Sequence, residues 1–326
     1  MEEPSLFTIA QTLAFPWVFM FSSLSCLPGT VARLAREGTL AAHLLGRADH
    51  GATLASAWFS DFWTRCAAPG VRANAGPGVL SLLAGRVRAG AVVDDDDDDD
   101  DAGQDAPPPP PPPHPPISGT VLEIGPGSGM WASALARSVV GGTPTSDDDN
   151  SLRRRRTTTT TEAAAPGGPV KRILGVEPNA SVHAALRAAA SEAGLDGVYE
   201  VVPCGIEHLA ASGAVAEGEV DCIVSVLCLC SIPDPERNIR ELYRYLKKGG
   251  RWYVYEHVCQ APGTAMYWYQ GFVNLFWPHF IGGCRLRNET AKYLRSAGPW
   301  SDFDLAQPPR EPWFNTLQHV LGILTK

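Results

Sequence analysis

The sequence predicts an α/β protein built on a doubly wound parallel sheet, with helices covering both faces. Three observations carry that prediction. Apolar strand-like runs alternate with amphipathic helical runs between residues 120 and 258. A glycine-rich turn, "EIGPGSG", joins the first of these strands to the first helix. An apolar fraction of 44% over 326 residues is enough for a sizeable buried core.

The N-terminus comes first in order. Leu6 to Leu27 is 22 residues without a charge, which as a helix measures about 33 Å against a hydrocarbon core of about 30 Å. Gln11 and Pro16 interrupt it, and Pro16 predicts a kink. Glu2 and Glu3 stand where a signal peptide would be basic. Arg33, Arg36 and Arg47 follow the stretch, which favours a cytosolic body. The expectation is an intracellular, membrane-associated protein whose helix spans or lies in the interface; the alternative is a cytoplasmic protein with this helix packed on its body. Residues 1–56 are read as apolar anchor and linker, and 57–326 as one domain.

Between 57 and 87 the pattern reads as helical segments broken by Pro69 and by the Gly-Pro-Gly at 76–78. Phe59, Phe62, Trp63 and Cys66 share one helical face, as core or as a lid over a ligand pocket. Two inserts follow, at about 92–116 and 142–169. The first carries the eight aspartates Asp94–Asp101 and a proline run. The second carries Asp147–Asp149, Arg153–Arg156 and Thr157–Thr161. Like-charge repulsion and polyproline stiffness keep such segments out of a core, so both are expected to be disordered. The net charge of −8 is largely the aspartate run, and nothing calls for a nucleic-acid partner.

The strands are "TVLEIG" (120–125), "RILGVE" (172–177), "YEVVPC" (199–204), "VDCIVSVL" (220–227) and "RWYVYEHV" (251–258). Helices are expected at 180–194 and 234–250, the latter ending in Lys247, Lys248 and the Gly249–Gly250 pair. The eight cysteines show no C-x-x-C pair and no Cys/His cluster at zinc spacing. They are read as reduced thiols, with no disulfide and no metal.

Gly125, Gly127 and Gly129 give G-x-G-x-G, whereas the dinucleotide fingerprint would need its third glycine at Met130. No Walker lysine follows. Glu123, two residues before the first glycine, suits an ammonium group better than a phosphate. Glu177 at the tip of the second strand can accept from ribose hydroxyls. Ile206 and Glu207, after the third strand, are placed to meet an adenine ring and its amine. A ligand with an amino-acid end and a nucleoside end, S-adenosylmethionine, fits this ordered set better than NAD.

With "LEIGPGSG", "GVEPN", "LCLCSIPDPE", "RELYRYLKKGGRWYVYEHV", "FWPHFIGGCRL" and "LQHVLGILTK" in view, the chain resembles class I S-adenosylmethionine-dependent methyltransferases of the type 11 group. More narrowly, it is similar to fungal members allied to the membrane-anchored, methyltransferase-like thiol S-methyltransferases of animals. The resemblance covers roughly Ala57 to Lys326 outside the inserts. It implies a seven-stranded, mostly parallel, Rossmann-like sheet, with cofactor roles for Glu123, Gly125, Gly127, Gly129, Glu177 and the turn Gly205, Ile206 and Glu207. The animal relatives have Asp where this chain has Glu123 and Glu177.

Methyl transfer requires the acceptor atom about 3–3.5 Å from the methyl, aligned and screened from water. "LCLCSIPDP" stands where methyltransferases acting on base or amide nitrogens carry a [D/N]-P-P-[Y/F] set, which favours a soft acceptor such as a thiol. His257 is the candidate base and His279 the second; a scaffold histidine is the alternative. Cys228 and Cys230 are read as pocket lining. Residues 258–284 hold no Asp, Glu, Lys or Arg and are dense in aromatics, Tyr269 and Trp277 among them. They are core, an acceptor pocket or a membrane-docking surface. The expected function is methyl transfer to a small apolar acceptor, a thiol first. A lipid or natural-product oxygen and a catalytically silent membrane-tethered scaffold are the alternatives.

Overall fold

A computed structural model describes residues 4–48, 52–93, 110–139 and 168–326. The chain opens with α1 (Leu6–Arg36), capped by the Ser5 hydroxyl, which accepts from the Thr8 N–H at 3.1 Å. α2 (Leu40–Leu44) and α3 (Leu54–Phe62) follow, and a π-helical turn, Trp63–Ala67, leads into α4 (Ala68–Leu83). β1 (Val87–Arg88) and β2 (Ala91–Val92) form a short hairpin. The alternation then runs β3 (Gly119–Ile124), α5 (Ala132–Val139), β4 (Val170–Val176), α6 (His183–Glu192), β5 (Tyr199–Val202), α7 (Leu209–Ser212), β6 (Val220–Val226), α8 (Pro235–Tyr245) and β7 (Leu246–Val258). α9 (Ala265–Val273), α10 (Trp277–Phe280) and α11 (Thr290–Ser296) precede β8 (Asp302–Ala306) and β9 (Gln318–Thr325).

The main sheet has seven strands in the order β5-β4-β3-β6-β7-β9-β8. β3 lies parallel to β4 on one side and β6 on the other, and only β9 runs against its neighbours β7 and β8. This is the seven-stranded, mostly parallel, Rossmann-like sheet that the resemblance implies. The winding reverses at β3, so a crevice opens at the carboxyl ends of β3 and β6, where open α/β sheets bind ligands. Alternation along each strand divides the core in two. Val121, Ile173, Val224 and Tyr253 face Leu82 of α4 and Leu135 of α5, while Leu122, Leu174, Ile223 and Trp252 face Leu242 of α8 and Leu294 of α11.

Several boundaries differ from the sequence expectation. α1 continues through Pro16 and Pro28, and α4 through Pro77. Pro69 sits in the first turn of α4, where no helical N–H partner is needed. Helix α8 ends at Tyr245 rather than Gly250, because the buried Leu246 turns extended, and Lys247 pairs with Asp221 at 2.7 Å instead of capping a helix. Residues 110–116 belong to the fold rather than to an insert. The His114 ring meets the Asp304 carboxylate at 2.8 Å, and the Tyr253 hydroxyl donates to the Pro115 carbonyl at 2.6 Å. The aspartate run, Pro107–Pro109 and 142–167 of the second insert lie outside the described residues.

α1 packs along the body of the protein. Trp58 Nε1 donates to the Ser23 carbonyl at 2.7 Å, Ser23 Oγ to the Phe280 carbonyl at 2.8 Å, and Thr30 Oγ1 to Asp61 at 2.8 Å. Arg33 adds an ion pair to the same Asp61 at 3.1 Å. A boundary at residue 56 therefore does not separate two bodies.

Candidate active site

At the sheet crevice lies a cavity of about 740 Å³, within the range of small-molecule sites. One end is built from the loop after β3 and the tips of β4 and β5. Gly125 and Gly127 turn this loop through the left-handed region, φ +60° and +58°. A Cβ on Gly125 would stand 2.7 Å from Cys228 Cβ, whereas one on Gly127 would meet nothing within 4 Å, so Gly127 presents bare backbone to open space. Gly129, at φ +86°, serves packing: a Cβ there would lie 2.7 Å from Ala189 Cβ on α6.

Glu177 follows β4 and is fixed from three directions. Its carboxylate accepts the Gly127 N–H at 2.9 Å and the Asn179 N–H at 2.8 Å, and the His183 ring bonds its carbonyl at 2.8 Å. Burial raises its pKa, and the two N–H bonds oppose that. Each oxygen retains a second acceptor position. Asn179 Nδ2 donates to Ser60 Oγ at 2.9 Å, which ties this end to α3. Gly205, Ile206 and Glu207 complete the wall. An acceptor pair fixed at a strand tip, a bare-backbone loop and the apolar Ile206 fit the ribose, amino-acid and adenine parts of S-adenosylmethionine.

Glu123 is a correction. It does not line the cavity; it is buried beside β4 and accepts the Tyr199 hydroxyl at 2.5 Å. Gly175, its register partner on β4, leaves the space through which that hydroxyl reaches, since a Cβ on Gly175 would collide with it. Burial pushes the Glu123 carboxyl up to about 7 against the pull of the Tyr199 bond, with the Glu177 charge adding to the rise. A direct pairing with a ligand ammonium is therefore not its geometry.

The other end of the cavity is apolar. Phe15 and Phe19 from α1, Trp58, Phe59 and Trp63 from α3 and the π-turn, and Trp277 and Phe280 from α10 line it, with His257, His279 and His319. The face Phe59–Trp63 thus borders the ligand space, while Phe62 is core and Cys66 is exposed. Cys228 lines the wall, and burial first, then the Glu256 carboxylate, pushes its thiol well above the ordinary range. Glu256 is itself buried and accepts the Cys228 and Leu229 N–H groups at 3.2 and 3.1 Å, which fixes the loop after β6. Tyr269 is a second correction. It faces α1 rather than the cavity, donating to the Leu13 carbonyl and accepting from Trp17 Nε1 at 2.9 Å.

Two groups, His319 and Cys284, were invisible to spacing rules. His319 lines the cavity with its Nδ1 on Glu311, and its ring lies 4.7 Å from that of His257. Cys230 and Cys284 join His257 on the wall, their donor atoms all within 4.8 Å of one another. No sequence spacing marks this group: these residues stand far apart in the chain and meet only through the fold.

Comparison with known proteins identifies the family. Residues 99–293, more than half of the chain, match the family model described as a methyltransferase domain. Thiol S-methyltransferase TMT1A of Homo sapiens is 40% identical over 114 residues, and thiol S-methyltransferase TMT1B of Rattus norvegicus is 33% identical over 113. Each match covers 34% of this chain and 46% of the relative, so the chain spans less than half the length of the curated relatives it matches. Among solved structures, geranyl diphosphate C-methyltransferase of Streptomyces coelicolor aligns at a TM-score of 0.43 and 13% identity, over 64% of this chain and 73% of that one. The sheet, the crevice at its reversal point and the family match converge: the chain belongs to the methyltransferase-domain family.

Proposed function

We propose that this protein methylates a small apolar thiol that reaches the cavity from a membrane surface. The observation that carries the proposal is the division of one cavity into a fixed polar end and an aromatic end. Among the described residues, Glu177 and Glu207 are the only carboxylates that line it, no Lys or Arg does, and three histidines face the aromatic part. Such walls favour an uncharged acceptor with little polar surface. The relatives named as thiol S-methyltransferases support sulfur as the accepting atom.

In this reading Glu177, Gly125, Gly127 and the Gly205–Glu207 turn hold the cofactor, and Glu123 and Gly129 support that end from behind. The bound cofactor supplies an electrophilic methyl carbon on a sulfonium. Phe15, Phe19, Phe59, Trp63 and Trp277 exclude water and orient the acceptor for in-line attack. Activation of the thiol, a few per cent thiolate at neutral pH, falls to the wall that carries His257. Cys228, with its raised pKa, shapes the pocket and is not the nucleophile.

Membrane association is part of the proposal. α1 exposes Leu6, Phe7, Phe15, Val18, Phe21 and Leu24, and the α9–α10 segment exposes Trp268, Phe272, Leu275 and Phe276. The Trp17 ring packs against Phe272 and Phe276, which joins the two sets into one apolar face. A helix tied to the body by Ser23, Thr30 and Arg33 lies in the interface rather than crossing the bilayer.

Calorimetric titration of the full chain with S-adenosylmethionine, beside Glu177→Ala, is the first test. Saturable binding weakened at least about tenfold, the loss of one or two charge-assisted hydrogen bonds, is expected. A screen with apolar thiols, alcohols and amines then follows by mass spectrometry of the product. Binding without turnover on any thiol would refute the acceptor assignment. Failure of Phe21→Glu with Trp268→Glu to reduce flotation with liposomes would refute the docking face.

A further inference from the structure

Cys230 lies in the loop after β6, His257 near the end of β7, and Cys284 in the turn after α10. Both thiols are buried and the imidazole is half-buried on the cavity wall. Cys284 Sγ lies 3.7 Å from His257 Nδ1, and all three donor atoms fall within 4.8 Å of one another. A tetrahedral zinc with bonds of about 2.3 Å to sulfur and about 2.0–2.1 Å to nitrogen holds such a pair about 3.6 Å apart. The observed S···N separation therefore matches coordination with almost no movement.

The backbone around the cluster is fixed. The Arg285 N–H donates to the Cys230 carbonyl at 2.8 Å, and Asn288 Nδ2 donates to the same oxygen at 3.2 Å. Gly282 and Gly283, at φ +52° and +80°, turn the chain so that Cys284 faces the other two. A Cβ on Gly282 would enter the Phe59 ring at 2.7 Å, so this turn is also locked by the aromatic wall. Two thiolates and an imidazole select zinc over hard cations such as magnesium or calcium. Three protein donors with the fourth position toward a cavity is the donor count of a catalytic zinc site rather than a structural one.

We propose that Cys230, His257 and Cys284 bind a zinc ion whose fourth position opens on the acceptor end of the cavity. How that position is used rests on the thiol reading: the acceptor occupies it as a thiolate, its proton passing to solvent. The thiolate sulfur then forms a bond to the cofactor's methyl carbon. The carbon–sulfonium bond breaks with its electron pair remaining on the cofactor's sulfur, and zinc keeps its oxidation state. The product thioether is neutral and a weaker ligand than the thiolate, so it leaves. His257 then acts as a ligand, and lowering the acceptor's pKa is the metal's task.

The test is metal content of the full chain, purified in detergent under reducing conditions, by inductively coupled plasma mass spectrometry. Stoichiometric zinc is expected in the natural sequence and in Cys259→Ser, and a fall of at least about tenfold in Cys230→Ser, Cys284→Ser and His257→Ala. Cobalt(II) added to metal-stripped protein is expected to give a thiolate-to-cobalt charge-transfer band that Cys284→Ser lacks. Retained S-adenosylmethionine binding in each variant shows that it is folded. A band that shifts on adding an apolar thiol supports the proposed use. A band indifferent to thiols leaves the zinc site standing and removes the thiol reading. Cofactor-binding protein with neither zinc nor a cobalt band overturns the site, as does a Cys230–Cys284 disulfide in its place.

Discussion

Glu123→Gln tests the buried carboxylate behind the cofactor loop. Glu123 titrates near 7 in the fold because burial disfavours its anion, against an ordinary value of 4.5. A raised carboxyl pKa means that the unfolded chain gives up its proton first as pH rises. Stability is therefore full below about pH 4.5 and is lost up to about pH 7, the reverse of a salt-bridged carboxylate. Integrating between these two values, the penalty is about 0.8 kcal/mol at pH 5 and about 3.4 kcal/mol at pH 8. The amide introduced by Glu123→Gln would still accept the Tyr199 hydroxyl through its oxygen but carries no charge to desolvate. Urea unfolding of both proteins at pH 5 and pH 8 is the assay. The natural sequence is expected to lose about 2.5 kcal/mol more across that window than Glu123→Gln. Equal pH slopes in the two proteins would refute the reasoning, because Glu123 would then ionise alike in the folded and unfolded chain.

The other predictions separate residues that one motif groups together. Gly129→Ala is expected to lower the melting temperature sharply, because its Cβ would stand 2.7 Å from that of Ala189, whereas Gly127→Ala bears only the left-handed backbone cost of about 1–2 kcal/mol. Gly127→Ala is instead expected to weaken S-adenosylmethionine binding more than its stability loss explains; calorimetry and thermal melts together would expose the opposite ranking. Tyr269→Phe removes two hydrogen bonds that hold α1, about 1–3 kcal/mol together. Faster amide exchange confined to α1 and α9 is expected, and unchanged exchange there would show that the hydroxyl does not hold α1 in place.

What could be read from the sequence was local. Strands β3, β4 and β6 announce themselves because apolar runs bounded by glycine and turn residues are a nearest-neighbour signal, and Glu177 was found because it sits at a strand tip. Glu123 was on the right strand, but nothing in the strand itself says which neighbour its side chain meets. That answer lay in β4: Gly175, in the middle of "RILGVE", is its register partner and leaves room for the Tyr199 hydroxyl of β5. Tyr269 had the right composition and the wrong helical phase, since α9 turns it toward α1. The acceptor wall was the least legible part. Phe19 of α1, Phe59 of α3, Cys230, His257, Trp277 and Cys284 share one cavity across more than two hundred residues of chain, and no spacing rule spans that distance. The same non-locality explains why the N-terminal helix read as an anchor apart from the domain. Its apolar residues do two jobs on two faces: Phe19 closes the acceptor cavity, while Val18 and Phe21 stay outside. A helix that both walls the pocket and presents an apolar face to a membrane would let an apolar acceptor enter without crossing water, so loss of the helix is expected to weaken acceptor binding before it weakens cofactor binding.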